Sequence, residues 1–269
     1  PLDEAYIDGV KGKAKAGIIN AKTPITEAKL RSLNERGGEE NIATGWHAIE
    51  FLLWGQDLSK TSAGQRPYTD FTTAPNAERR RQYLQLVTDM LVSDLAGVEK
   101  QWQAGAPYRA KFEKGGDDSI KKMLTALGML SRGELAGERI EVALDTQNQE
   151  DEHSCFADNT HRDIVNNAKG IQNVWEARFV RRSGEVVEGA SLKALVAQKN
   201  TAAAEAVSKE MAQSVQLAEG IQAPFDREIA DKNGGRKRVQ AVVESLKAQA
   251  KSLVNAAKEL GIKRLNTSV

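Results

Sequence analysis

The chain has 269 residues, 40% of them hydrophobic and 5% aromatic, with Lys+Arg 38 against Asp+Glu 37 and a net charge of +1. That length suits one large domain or two smaller ones, and the even charge argues against a dedicated nucleic-acid binder. The single cysteine, Cys155, excludes an intrachain disulfide, and no apolar run reaches the ~20 residues that would span a bilayer.

Few aromatics and abundant Ala, Glu, Lys and Gln favour helices over sheets. "PLDEAYID" places Pro1 before acidic residues, as an internal helix begins, so the natural N-terminus is expected upstream. This first helix should end near Gly9, and residues 12–22 read as loop. In "TPITEAKLRSLNERGG" Thr23 caps a helix with Pro24 at its first position, and Gly37 and Gly38 stop it. Gly45 and Gly55 then bound the apolar run "WHAIEFLLW". Residues 56–76, rich in Pro, Gly, Ser and Thr, form a long loop of the kind that often carries function.

Residues 77–103 read as one long helix, with Tyr83, Leu84, Val87, Leu91, Leu95 and Val98 at three- and four-residue steps. A break at 104–118 suggests a domain boundary. Residues 119–130 form the next helix, and 131–149 continue it through Gly133 and Gly137, whose spacing suggests close approach of another backbone. After the polar stretch 150–161, Asn159 can cap a new helix, or Thr160 with Asp163 can form a box-like cap. "RRSGEVVEGAS" is a turn or small hairpin, and helices follow near 191–199, 201–221 and 235–260. The basic clusters "ERRRQ" (78–82) and "GRKRVQ" (235–240) read as solvated helix faces. The expected fold is all-α, as two helix bundles.

Three constellations carry chemistry. His47 and Glu50 share a helix face and could grip one metal ion. The zinc-protease pattern H-E-x-x-H fails because Ala48 follows His47 and Phe51 stands at the second histidine position; H-x-x-E-H fails at Phe51 as well. The pair could equally be structural, since a glutamate among apolar neighbours needs a partner. The stretch "EDEHSCFADNTH" gathers Glu150, Asp151, Glu152, His153, Asp158 and His161, either as a site or as a solvated capping loop. Within it Cys155 reads as a buried hydrophobe rather than a nucleophile. In "GELAGER", Glu134, Glu138 and Glu141 share a helical face beside Arg139, as surface charge or as a buried polar contact. "GWHAIE" and "GELAGE" faintly echo one another.

At these residues the chain resembles a family. "GWHAIEFLLWGQD" carries the G-x-H-x-x-E motif of the imelysin-like proteins. "SRGELAGERIEVAL" and "QEDEHSCFADNTHRDIVNNAKGIQNVW" are similar to further segments of its iron-regulated protein A branch. The similarity runs from "PLDEAYID" to the last helix; the family's N-terminal helical segment, before "PLDEAYID", is absent here, so the first bundle is expected to be incomplete. The resemblance implies two similar four-helix bundles, here residues 1–115 and 116–269, with a site at their interface near the G-x-H-x-x-E helix. It also implies export to the periplasm, free or lipoprotein-anchored, and a part in bacterial iron uptake.

The expectation that follows is a periplasmic protein binding a metal ion, iron or another divalent metal, or an iron-bearing ligand. His47 and Glu50 match the motif directly. Glu138, His153 and Asp158 are inferred as further metal ligands from residue type, and Arg139 and His161 as contacts to the bound group. Other iron-uptake components are the expected partners. The rivals are a metallopeptidase, a past classification of the family that the failed zinc patterns oppose, and a non-catalytic scaffold of an uptake complex.

Overall fold

A computed structural model describes residues 2–268, and its regular elements are helices apart from one small hairpin. Pro1, expected at the first position of a helix, lies outside those residues. The chain divides into two compact units: one runs to Lys111 and includes Ser154–Asp158, and the other holds Phe112–His153 and the chain from Asn159 onward.

In the first unit α1 (Glu4–Ile7) is capped by Asp3, whose carboxylate accepts from the Ala5 amide at 3.0 Å. Residues 17–20, expected as loop, form one helical turn, α2 (Gly17–Asn20), because Ile18 and Ile19 are drawn into the core. Helix α3 (Glu27–Leu33) is capped by Thr26 and not by Thr23, whose carbonyl instead accepts from Arg79. Starting there leaves Ile25 free to be buried. Helix α4 (Trp46–Trp54) lies between Gly45 and Gly55 as expected; both have positive φ, +85° and +72°, which strains any residue with a Cβ. After a 3-10 turn at Tyr68–Phe71 comes α5 (Ala77–Trp102). Its first half buries Tyr83, Val87 and Met90 with Ile7, Leu30, Phe51, Leu52, Cys155 and Phe156. The apolar repeat continues to Val98, yet Leu95 and Val98 are exposed, so periodicity alone overstates the buried face. The expected break at 104–118 contains a further helix, α6 (Pro107–Lys114).

In "ERRRQ" Arg81 is exposed as expected of a solvated face, but Arg79 and Arg80 turn inward. Arg79 donates to the carbonyls of Ile18, Ile19 and Thr23, and Arg81 to that of Phe71. Arg80 grips Asp8, Nε to Oδ2 at 2.7 Å and Nη2 to Oδ1 at 3.1 Å. Asp8 is wholly buried and also accepts from Arg66 at 3.0 Å and from the Gly9 amide at 2.7 Å. Arg66 in turn reaches Asp70 at 3.0 Å. Loops that look unstructured in sequence are thus held by buried charge pairs.

In the second unit α7 (Asp117–Met129) passes without a break into a π-helix, Leu130–Glu141, and then α8 (Val142–Thr146). Helix α9 (Thr160–Glu176) follows, then the hairpin β1 (Arg178–Val180) and β2 (Val186–Glu188), with Phe179 opposite Val187. Asn159 precedes α9 without capping it; its side chain donates to Asp163 at 3.4 Å. The remaining helices are α10 (Leu192–Ala197), α11 (Thr201–Glu219), the short α12 (Phe225–Ala230) and α13 (Gly235–Glu259). Helix α13 packs along α11, α7 and the π-helix, burying Val239, Val242, Val243, Leu246 and Leu253. A polar tie crosses this core: Ser131 donates to the Leu246 carbonyl at 2.8 Å and accepts from Gln249 at 3.0 Å. "GRKRVQ" is likewise committed, Arg236 to the Leu144 and Ile229 carbonyls and Arg238 to Glu228.

Candidate functional site

The glycine-bounded helix α4 sets the motif in place. His47 lies in its first turn and Glu50 one turn on, and Nδ1 of His47 meets Oε2 of Glu50 at 2.9 Å. The Glu50 side chain is only 11% exposed, whereas that of His47 is 36% exposed. The second carboxylate oxygen, Oε1, accepts the backbone amide of Ala157 at 2.9 Å. Glu50 therefore has the partners its apolar surroundings demand. A carboxylate only accepts, so the hydrogen on this bond belongs to Nδ1, and Nε2 is the ring atom suited to coordination.

The amide that reaches Glu50 is positioned by packing. Phe156 tilts against Phe51 with ring centroids 5.2 Å apart, and its carbonyl accepts from Gly64 at 2.9 Å. Cys155 is buried in the same cluster, as expected of a small hydrophobe. Asp158 closes the segment in a left-handed turn, φ +52°, its amide bonded to the Cys155 carbonyl.

The other expected site residues belong to the second unit. The π-helix rearranges the "GELAGER" face. Glu134 pairs with Arg139 at 3.0 Å, a spacing of five that matches the i to i+5 repeat of a π-helix. Glu141 is held by Lys247 at 2.7 Å, and Glu138 is exposed, so the three glutamates do not act as one face. A Cβ on Gly137 would meet the Arg132 carbonyl of the same helix at 3.3 Å, and no other element's backbone approaches it. Arg139 Nη1 lies 3.5 Å from His153 Nε2, and His153 Nδ1 lies 3.7 Å from Asp163. Guanidinium only donates, so Nε2 of His153 is the acceptor, and a metal bound there would have to displace Arg139. His161, in the first turn of α9, has its Nδ1 buried without a hydrogen-bond partner. Glu150 is pushed above its ordinary value by burial and then by Asp151 beside it.

Among the described residues, no group of three His, Cys, Asp or Glu is placed to hold a metal ion. The structure joins His47 to Glu50, and Arg139 to His153. Sequence reasoning missed Ala157, whose backbone amide carries no sequence signal, and the Asp8–Arg66–Arg80 cluster, whose members are far apart in the chain.

A helical protein with a paired imidazole and carboxylate on a glycine-bounded helix is the class these features define. The model of the Imelysin family matches residues 1–253, and the chain belongs to that family. It is similar to iron-regulated protein A of Synechococcus elongatus, 27% identical over 232 residues, covering 80% of this chain. The chain spans 59% of that relative's length. Its fold matches a crystal structure from Parabacteroides distasonis of a protein named provisionally as an iron-regulated protein A precursor. The TM-score is 0.66 at 16% identity, covering 95% of this chain and 78% of the other. Among the described residues no helix is long and apolar enough to cross a membrane.

Proposed function

We propose that this chain is an iron-related binding protein of the bacterial periplasm whose cargo contact is His47, oriented by Glu50. The observation that carries the reading is the Nδ1–Glu50 bond at 2.9 Å, itself braced by the Ala157 amide. Metal-ligating histidines commonly give their other ring N–H to a carboxylate, which fixes the tautomer and the ring direction. Glu50 then acts as the orienting group, and Nε2 of His47 as the coordinating atom. The name of the Synechococcus elongatus relative supports the link to iron.

Two such residues do not make a cage for a bare ion, and no third donor joins them among the described residues. The cargo is accordingly an iron chelate that brings most of its own ligands and accepts one imidazole. Passing such cargo to other uptake components is the corresponding role. A metallopeptidase would need three protein ligands and an open position, a set for which these residues give no support.

The test is titration of the full chain with ferric citrate, a ferric hydroxamate and Fe²⁺ alone, followed by calorimetry. One chelate should bind, His47→Ala should abolish binding, and Glu50→Gln should weaken it by about 10–100-fold. Unchanged affinity in both variants would sink the proposal. Tight binding of Fe²⁺ alone would favour a metal cage instead.

A further inference from the structure

The loop that follows α4 encloses a cleft of about 480 Å³ whose lining includes neither His47 nor Glu50. The loop is pinned in shape. The Arg66 amide donates to the Trp54 carbonyl at 2.8 Å, and the Gly64 amide to that of Phe156 at 2.9 Å. A Cβ on Gly64 would stand 2.6 Å from the Trp54 carbonyl, so only glycine allows this approach. The cleft is therefore preformed and does not depend on a ligand to order it.

Its floor is Arg66, 6% exposed, lying over the Phe51 ring at 5.2 Å. The charge of Arg66 is already met, Nη1 serving both Asp8 and Asp70 at 3.0 Å, while its buried Nε keeps an N–H with no acceptor. With Arg80 on Asp8, the two cations are balanced by two carboxylates. One wall is a chain of polar groups: Gln65 donates to Ser62 at 3.2 Å, and Ser62 to Ser59 at 3.1 Å. Asp70 also lines the cleft, with its side chain 24% exposed. Trp54 and Leu58 are exposed beside it, and apolar faces of this kind cover C–H surface.

A pinned, electrically balanced cleft lined by hydroxyl, amide and carboxylate groups and by an indole fits a molecule of matching character. It must be uncharged, rich in hydroxyls, and have an apolar ring face. We propose that this cleft binds a neutral saccharide, with Asp70 and the Ser59–Ser62–Gln65 chain meeting its hydroxyls and Trp54 its ring face. The inference is independent of the iron-related reading.

Saturation-transfer NMR on the full chain tests it, with glucose, galactose, mannose, N-acetylglucosamine and their disaccharides as probes, and sodium phosphate and acetate as anionic competitors. At least one sugar should show transfer that the anions do not displace. Trp54→Ala and Asp70→Asn should each weaken it about tenfold or more, and His47→Ala should leave it unchanged. Asp70 also supports Arg66, so Gln65→Ala, an exposed position, serves as the variant that keeps the fold; circular dichroism checks all four. The proposal is overturned if no sugar shows transfer, if the anions displace it, or if it survives Trp54→Ala and Gln65→Ala undiminished.

Discussion

Asp8 shows how much one side chain can decide. Its carboxylate is fully buried and holds Arg66 and Arg80, residues 58 and 72 positions away. Removing one member of such a cluster leaves the others charged and unpaired, which costs far more than the intact cluster contributes. Asp8→Ala should therefore destabilise the first unit by about 3–5 kcal/mol, read from the shift in the urea midpoint. A loss under about 1 kcal/mol, the range of an exposed pair, would show that the arginines find water instead. The sequence shows only an aspartate at the end of a helix and a run of arginines. Their meeting depends on chain reversals that no local pattern encodes. His47 and Glu50 were readable because three residues on a helix is a local spacing; the Ala157 amide was not, because every residue has one.

At the scale of the element, α5 separates what periodicity predicts from what packing delivers. Met90 and Leu95 lie on the same helix, but Met90 is 3% exposed and Leu95 52% exposed. Met90→Ala should cost about 2–5 kcal/mol through transfer and cavity effects, whereas Leu95→Ala should stay within about 0.5 kcal/mol, both by chemical denaturation. Equal costs would mean that the outer half of α5 is covered in solution. The π-helix was read from sequence only as "helix", since nothing in "LSRGELAGERIE" excludes α geometry; the Glu134–Arg139 spacing of five becomes a signal only once the pairing is known. The start of α13 is legible in its chemistry. Asp231 accepts the amides of Gly235 and Asn233, and those bonds hold its carboxyl below the usual carboxylate value. A depressed folded-state value stabilises above the unfolded value and is lost as pH falls through the folded one. Wild type should accordingly exceed Asp231→Asn in thermal midpoint at pH 7, and the gap should close below about pH 4. A gap that persists at pH 2 would assign the effect to something other than this charge.

Across the whole molecule, the helical class and most helix positions follow from composition, apolar spacing and glycine stops. Helices α2, α6 and α12 did not, because each is too short for a period to show; α2 and α12 are held by buried side chains such as Ile19 and Phe225, whereas α6 buries none. The division into units is the least local property of all. A cut near residue 115 is a natural guess from the break at 104–118, yet Ser154–Asp158 belongs with the first unit.

That returning segment bears on how the protein is made. Phe156 completes the packing around Phe51, and the Ala157 amide satisfies Glu50. Chains emerge from the ribosome N-terminus first, and domains generally fold as they appear. Here the nascent first unit lacks the backbone donor to one Glu50 oxygen, and the ring that packs on Phe51, until residues 112–153 of the next unit have been translated. The histidine and glutamate can pair within their own helix, but the second oxygen of Glu50 gains its backbone donor only after synthesis has passed residue 157, so a stalled or truncated chain would carry the whole motif in sequence and lack its brace in structure.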